Sequence, residues 1–147
     1  MSIKGEKGII YIYTGAAYKP VACLTSNSLN TTVSMIESQT KCFPGVVKKT
    51  AGTFSYTIDA EGEYIDTTSV GGDTTKQSHD ALFLLQQAKS LVEWKLDTDI
   101  TNVDSTKYYG SGYLTDLSAT FGSGDDVTTF SATIDGDGAI VLTDPNA

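Results

Sequence analysis

Apolar and polar residues alternate one for one in segment after segment of this chain, and a period of two fits β-strands and little else. In "GTFSYTID" (52–59) Phe54, Tyr56 and Ile58 fall on one side, with Thr53, Ser55 and Thr57 on the other. "SLNTTVSMIES" (28–38) sets Leu29, Val33 and Met35 against Asn30, Thr32 and Ser34. Near the C-terminus, "GYLTDLSATF" (112–121) and "DVTTFSATID" (126–135) flank Gly122-Ser123-Gly124-Asp125, a hairpin signal. There Tyr113, Leu117, Ala119 and Phe121 share a face, as do Phe130, Ala132 and Ile134; Ser118, Thr120, Thr129, Ser131 and Thr133 lie opposite. "KGIIYIYT" (7–14) reads as a well-buried strand, and "LVEWKLD" (91–97) as another, with Trp94 in the core.

One segment breaks the pattern. "SHDALFLLQQAKS" (78–90) spaces Leu82, Leu85 and Ala88 helically, with Ser78 as the expected N-cap and Lys89 near the dipole's negative end. A mainly β fold with one helix near 78–90 follows, the helix covering the sheets. The 147 residues fit one domain, 1–147, with no internal repeat or composition break. The stretch 66–77 reads as a loop. The segment 38–52, "SQTKCFPGVVKKTAG", reads as a long loop or mobile hairpin with Pro44-Gly45 at its tip, a length that marks function or disorder.

Composition removes several classes. No apolar run approaches the ~18 residues of a membrane span, and the N-terminus lacks a signal-type hydrophobic stretch, so the chain is expected to form in a cytoplasm. Cys23 and Cys42 are then expected to be reduced, and they are too isolated for a zinc site. All ten basic residues are lysines, which argues against bidentate phosphate or guanine readout. Charge is polarised: residues 1–50 carry net +4, 51–96 net −4 and 97–147 net −8, for a total of −8. Such asymmetry is either a surface effect or the mark of a molecule that meets its own copies head to tail.

Catalytic and metal chemistry find little support. His79 is the single histidine and reads as a solvated residue in a helix's first turn. The aspartates fall mainly in what read as turns (Asp59, Asp104, Asp125, Asp126), where aspartate is expected for backbone reasons. No phosphate loop of the GxxxxGK[ST] type occurs. Asp135-Gly136-Asp137-Gly138 invites a calcium reading, but an EF-hand counted from Asp135 would need glycine where Ile140 stands and glutamate where Asn146 stands. A turn or bulge leading to "AIVLT" (139–143) needs only glycines and tolerant aspartates. The chain is therefore read as no enzyme, with no catalytic residue, metal or cofactor.

The polar sides of four strands (28–36, 52–59, 112–121, 126–135) remain to be explained. They carry Asn30, Thr32, Ser34, Thr53, Ser55, Thr57, Ser118, Thr120, Thr129, Ser131 and Thr133, nearly free of long charged side chains. Small hydroxyls make a smooth hydrated surface that suits a channel lining as well as bulk solvent.

The stretch "YYGSGYLTDLSATFGSGDDVTTFSATIDGDGAI" resembles the closing signature of the major tail tube proteins of long-tailed bacteriophages. There a glycine-led strand with a Leu-Thr-Asp-Leu-Ser type core precedes an acidic turn, an aromatic-Ser strand and a Gly-x-Gly ending. "KGIIYIYT", "VACLTSNSLNTTVSMIESQTK" and "GTFSYTIDAEGEY" resemble the family's earlier strands, in order. Phe54 stands where relatives often have tryptophan, and arginine is missing.

The resemblance implies a two-sheet β-sandwich or barrel-like fold, related to the tubes of contractile injection systems. It implies hexameric rings, each copy lending four strands to a barrel, stacked head to tail into a conduit for genomic DNA. The partners implied are the chain itself, the tape measure, tail tip and terminator proteins, and DNA that passes without specific binding. The place implied is the virion tail, assembled in the bacterial host cytoplasm. The eleven hydroxyl-face residues named above are then lumen candidates, and Lys41, Pro44, Gly45, Lys48 and Lys49 ring-stacking candidates. Lys4, Lys7, Lys41, Lys48 and Lys49 are expected toward one ring face, with the C-terminal aspartates toward the other or the lumen. A carbohydrate-binding or adhesion β-sandwich, using exposed aromatics such as Tyr108 and Tyr109, is the alternative.

Overall fold

In the computed structural model, which describes residues 4–21, 24–39, 41–42, 44–65, 67, 72, 75–124 and 127–146, the alternating segments become strands. They are β1 (Ile9–Tyr13), β2 (Tyr18–Pro20), β3 (Leu24–Ser38), β4 (Lys48–Glu63), β5 (Val92–Asp97), β6 (Lys107–Thr120) and β7 (Thr129–Val141). A helix, α1 (His79–Gln87), stands between β4 and β5. All seven strands join one antiparallel sheet in the order β2-β1-β5-β6-β7-β4-β3. That sheet folds back on itself: Ile10 and Ile12 of β1 pack in one cluster with Ile58 and Ala60 of β4. Asn27 Nδ2 donates across the gap to the Gly8 carbonyl at 3.1 Å. Its two halves thus act as the two layers of the expected sandwich.

The core is organised around Trp94, which is completely buried, and Tyr56, 2 % exposed. Their rings meet edge to face at 5.5 Å; Trp94 Nε1 donates to the Tyr56 hydroxyl at 3.3 Å, and that hydroxyl donates to the Ser111 carbonyl at 2.6 Å. Both polar tips are satisfied inside apolar surroundings, as buried Tyr and Trp require. Glycines make the room: a Cβ on Gly136 would lie 2.3 Å from the Tyr56 ring, and one on Gly110 2.8 Å from the Trp94 ring. These contacts explain two of the glycines in "YYGSGY" and "DGDG".

The second glycine of "DGDG" has a different role. β7 runs unbroken through it, but Tyr109 pairs with Val141 while Ser111 pairs with Asp137, so between these pairs one residue of β6 faces three of β7. Gly138 absorbs this bulge at φ +86°. The motif is an irregularity inside one strand, where the sequence suggested a link between two.

Another bulge corrects the facial assignment in β6. The register slips between Leu114 and Asp116, opposite Ile134 and Thr133. Leu114 therefore takes the core position with Leu117, and Tyr113, 45 % exposed, moves to the hydroxyl side. One inserted residue exchanges faces.

Three further expectations change. Ser78 is the helix N-cap by position, but its Oγ makes no cap bond; it accepts the Ile65 N–H at 3.2 Å and fixes the chain leaving β4. His79 is half-buried between Tyr64 (5.6 Å) and Phe83 (6.4 Å), not solvated. The segment 38–52 is less of a loop than its letters suggest, since Ser38 still belongs to β3 and β4 begins at Lys48, leaving 39–47 as the connection of a hairpin.

The helix ends on Lys89 at φ +56°, with Ser90 N–H donating to the Leu85 carbonyl and Lys89 N–H to the Gln86 carbonyl. This is the left-handed terminus that glycine normally occupies. Lys89→Gly is expected to raise stability by about 0.5–1 kcal/mol, read as an upward shift of the urea midpoint with an unchanged slope.

Four tyrosines titrate late. Burial raises Tyr11, Tyr56 and Tyr109, and lifts Tyr18, whose hydroxyl donates to Asp144 Oδ1, to about 12 from 10.0. As pH rises past 10 the unfolded chain releases these protons first, so the tyrosines' contribution to stability is full below about pH 10 and is lost from there toward 12. Melting temperatures from pH 9 to 12 check this, with Tyr18→Phe expected to reduce the decline; a level profile through pH 12 would refute it.

Candidate functional site

β6, β7, β4 and β3 lie side by side, and bulges keep their polar residues on one face. Across β3 and β4, Asn30 stands opposite Thr57 and Thr32 opposite Ser55. Across β6 and β7, Ser118 stands opposite Ser131 and Thr120 opposite Thr129. Ser34 joins Thr53 by its hydroxyl at 3.1 Å and accepts the Thr53 N–H at 2.8 Å. Gly52 permits that contact, because its Cβ would meet Ser34 Oγ at 2.5 Å. Thr133 completes the set. All eleven hydroxyl-face residues picked from alternation thus share one surface of four adjacent strands.

Several of these groups bond to each other or to one carboxylate. Thr133 Oγ1 donates to Asp59 Oδ1 at 2.9 Å and Asn30 Nδ2 to Asp59 Oδ2 at 3.2 Å, so Asp59 ties β3, β4 and β7 together. Ser118 and Ser131 hydroxyls bond across the β6–β7 pair. Alternation had read Asp59 as a turn residue, yet it sits well inside β4.

Carboxylates were the part of this face that alternation missed. Asp59 and Glu61 on β4, Asp116 on β6 and Asp135 on β7 fall at the polar positions, all exposed. The signal was available in register: Asp59 pairs with Thr133 and Asp135 with Thr57, each among hydroxyls already chosen. Over the stretch of β4 that pairs with β7, Thr57–Glu63, the polar positions hold acids and a hydroxyl but no lysine.

Two open edges border this surface. β3 is the terminal strand of the sheet, 15 residues long, with neither lysine nor proline in it. On the other side, β5 pairs with β6 only from Lys107 to Gly112, so that among the described residues Tyr113–Thr120 pair with β7 on one edge and with no strand on the other. Gln86 Nε2 of α1 takes the Thr115 carbonyl at 3.2 Å. Between its irregularities near Leu24 and Val33, a long edge without lysine or proline is a template for another strand, and isolated proteins normally blunt such edges.

The third feature is an arm. β7 pairs with β4 only over Thr57–Glu63, while β3 follows β4 to Lys48, so the hairpin runs about 30 Å past its last pair with β7 at ~3.3 Å per residue. Among the described residues no layer covers it, and Val33, Met35, Ile36, Val46, Val47 and Phe54 are exposed. The stacking candidates Lys41, Pro44, Gly45, Lys48 and Lys49 lie at its tip or on its last strand residues, with Lys49 3.7 Å from Glu37. Lys7 lies near Asp99, whose carboxyl it helps to lower after hydrogen bonds from Thr101.

Other sites are thinner. Among the described residues no group of three or more His, Cys, Asp or Glu gathers at metal-binding distance. Cys42 is free and exposed; Cys23, Asp125 and Asp126 lie outside the described residues. Tyr109 is 7 % exposed and Tyr108 packs against the core, so neither forms a sugar-binding platform.

No family model matches the sequence, and no curated protein matches it. Solved structures match its fold. A chain of the virion of a native gene transfer agent particle superimposes with a TM-score of 0.76 at 14% identity, covering 97% of this chain and 100% of that one. A chain from the tail of an empty particle of that kind, refined helically with C6 symmetry, gives 0.73 at 15% identity, covering 97% and 100%. The SPP1 tail tube gives 0.67 at 10% identity, covering 93% of this chain and 77% of that one. The mainly β fold with a single helix is the fold of these tail structures.

Proposed function

We propose that this chain is the repeating subunit of a virion tail tube, a structural protein and not an enzyme. The observation that carries the reading is the pair of open edges on one four-strand stretch. If β3 of one copy pairs with the open part of β6 in the next, the hydroxyl and carboxylate face continues from copy to copy and the sheet closes into a barrel. Six copies would form the ring, in keeping with the sixfold symmetry of the gene transfer agent tail. Heterologous contacts that close laterally and repeat axially give rings and an open tube.

The enclosed surface suits a DNA conduit. Lysines would hold phosphates by releasing counterions, whereas Asp59, Glu61, Asp116 and Asp135 repel them. The hydroxyls fill the remaining surface with small uncharged groups, several of which hydrogen-bond their own neighbours. Genomic DNA would pass without specific binding, and the tape measure, tail tip and terminator proteins would be the tube's other partners. Assembly would take place in the bacterial host cytoplasm, and the tube would serve in the virion tail.

Negative-stain microscopy of the purified protein, with its mass by light scattering before and after concentration, tests this. Rings with a central hole, or tubes of them, are expected. A protein that stays monomeric at high concentration and with virion-derived tail tips as seeds would overturn it.

A further inference from the structure

A cleft of about 660 Å³ lies where the start of β3 parts from the start of β1. Gly5, Gly8 and Val21 line it from the β1 side, Leu24 and Asn27 from β3, and the Asn27–Gly8 hydrogen bond spans the gap. Val21 and Leu24, which pack on the core, give it apolar walls. Gly5 keeps it open, since a Cβ there would meet no atom within 4 Å. A concave apolar site of this size is fit to take an aromatic ring.

Phe121 is such a ring without a site. It is 72 % exposed, more than any other aromatic among the described residues. Leu117 and Ala119 precede it at a spacing of two, so it leaves β6 on the core side of the sheet, away from the hydroxyl face. Tyr64 packs on the core and meets the Phe121 ring at 5.9 Å, which holds that ring in place while leaving most of it in water. An aromatic side chain already ordered before binding is the kind that anchors an interface.

We infer that Phe121 of one copy seats in the cleft of its neighbour within the ring, an inference that rests on the tube reading and names the lateral anchor. Strand direction alternates across β6, β7, β4 and β3, so β3 runs opposite to β6. Set beside β6 of the next copy, β3 pairs with it antiparallel, and the end of that β6 at Thr120 comes toward the start of β3 at Leu24. Phe121 follows Thr120, and the cleft opens beside Leu24 on the same side of the sheet. Its own chain is too far away: the pairs Leu24–Gly62, Gly62–Phe130 and Phe130–Ala119 set β3 and β6 three strand spacings apart, about 14 Å in all. The occupant is therefore a second copy. Backbone bonds alone let two strands slip along each other, and a ring held in a cleft fixes their register.

Phe121→Ser and Phe83→Ser separate a seat from a merely sticky surface. Both change exposed side chains around the Tyr64–His79 stack, so both are expected to fold, with unchanged urea midpoints. By sedimentation velocity, Phe121→Ser is expected to raise the concentration threshold for rings at least about tenfold, and Phe83→Ser to leave it within about twofold. As a second measurement, Gly5→Cys and Phe121→Cys are combined in a background with Cys23 and Cys42 changed to serine. A short bismaleimide, added above that variant's own threshold, is expected to give a ladder of linked species that stops at six copies. Equal thresholds for the two serine variants, linkage confined to the monomer, no linkage, or a ladder running past six would each overturn the inference; rings from the unaltered protein would still leave the tube reading standing. If the unaltered protein forms no rings, both fall together.

Discussion

Replacing Trp94 with alanine lowers folding stability by about 3–5 kcal/mol, the largest single-residue loss expected in this molecule. The indole is completely buried, so its removal takes roughly 200 Å² of aromatic surface out of contact. It also strips the Tyr56 hydroxyl of the N–H it receives at 3.3 Å, though its bond to the Ser111 carbonyl survives. The void cannot collapse easily, because Gly110 and Gly136 lend no side chains to fill it. A urea titration followed by circular dichroism checks the value; a loss under about 1 kcal/mol would show that the two halves of the sheet are not joined through this residue.

The second large effect is on assembly. In an antiparallel edge strand, successive N–H groups point alternately to the neighbouring strand and away from it. Of Thr31→Pro and Thr32→Pro, one removes a bond to β4 and destabilises the subunit, and the other removes an outward N–H and leaves the fold intact. The folded variant is expected to form no rings at concentrations where the unaltered protein does, with the threshold raised tenfold or more, equivalent to about 1.4 kcal/mol per contact. Sedimentation velocity distinguishes the outcomes. If both prolines assembled normally, β3 would not be the joining edge and the barrel would have to close another way.

Much of this was readable in the chain itself, for a physical reason. Burial on one face only imposes a period of two, and that period survives in the letters: Phe130, Ala132 and Ile134 alternate with Ser131 and Thr133 without interruption. Trp94 was readable as core because its neighbours Val92 and Leu96 keep the same phase. The errors occur where a local irregularity breaks the phase. Thr115 is inserted opposite no partner, so Tyr113 was counted with Leu117 although Leu114 holds the core position. Asp59 was misread because aspartate favours turns in general, and only its cross-strand partner Thr133 shows why it sits mid-strand. Ser78 was assigned to the helix by position, while its hydroxyl serves the chain at Ile65, thirteen residues earlier. The short strand β2 and the return of the sheet upon itself depend on contacts between distant segments, which no local window contains.

The seat of Tyr56 also sets a timetable for synthesis. Its hydroxyl reaches Ser111, its ring packs on Trp94, and its outer side rests against Gly136, so all three walls come from later in the chain. β3 and β4 emerge from the ribosome some 70 residues before Gly136, an interval of about 4–15 s at 5–20 residues per second. Throughout that interval the two longest strands lack their floor. β4, to which the β3 edge is hydrogen-bonded, thus receives its packing partners only when β5, β6 and β7 have been made, the last of them with Gly136.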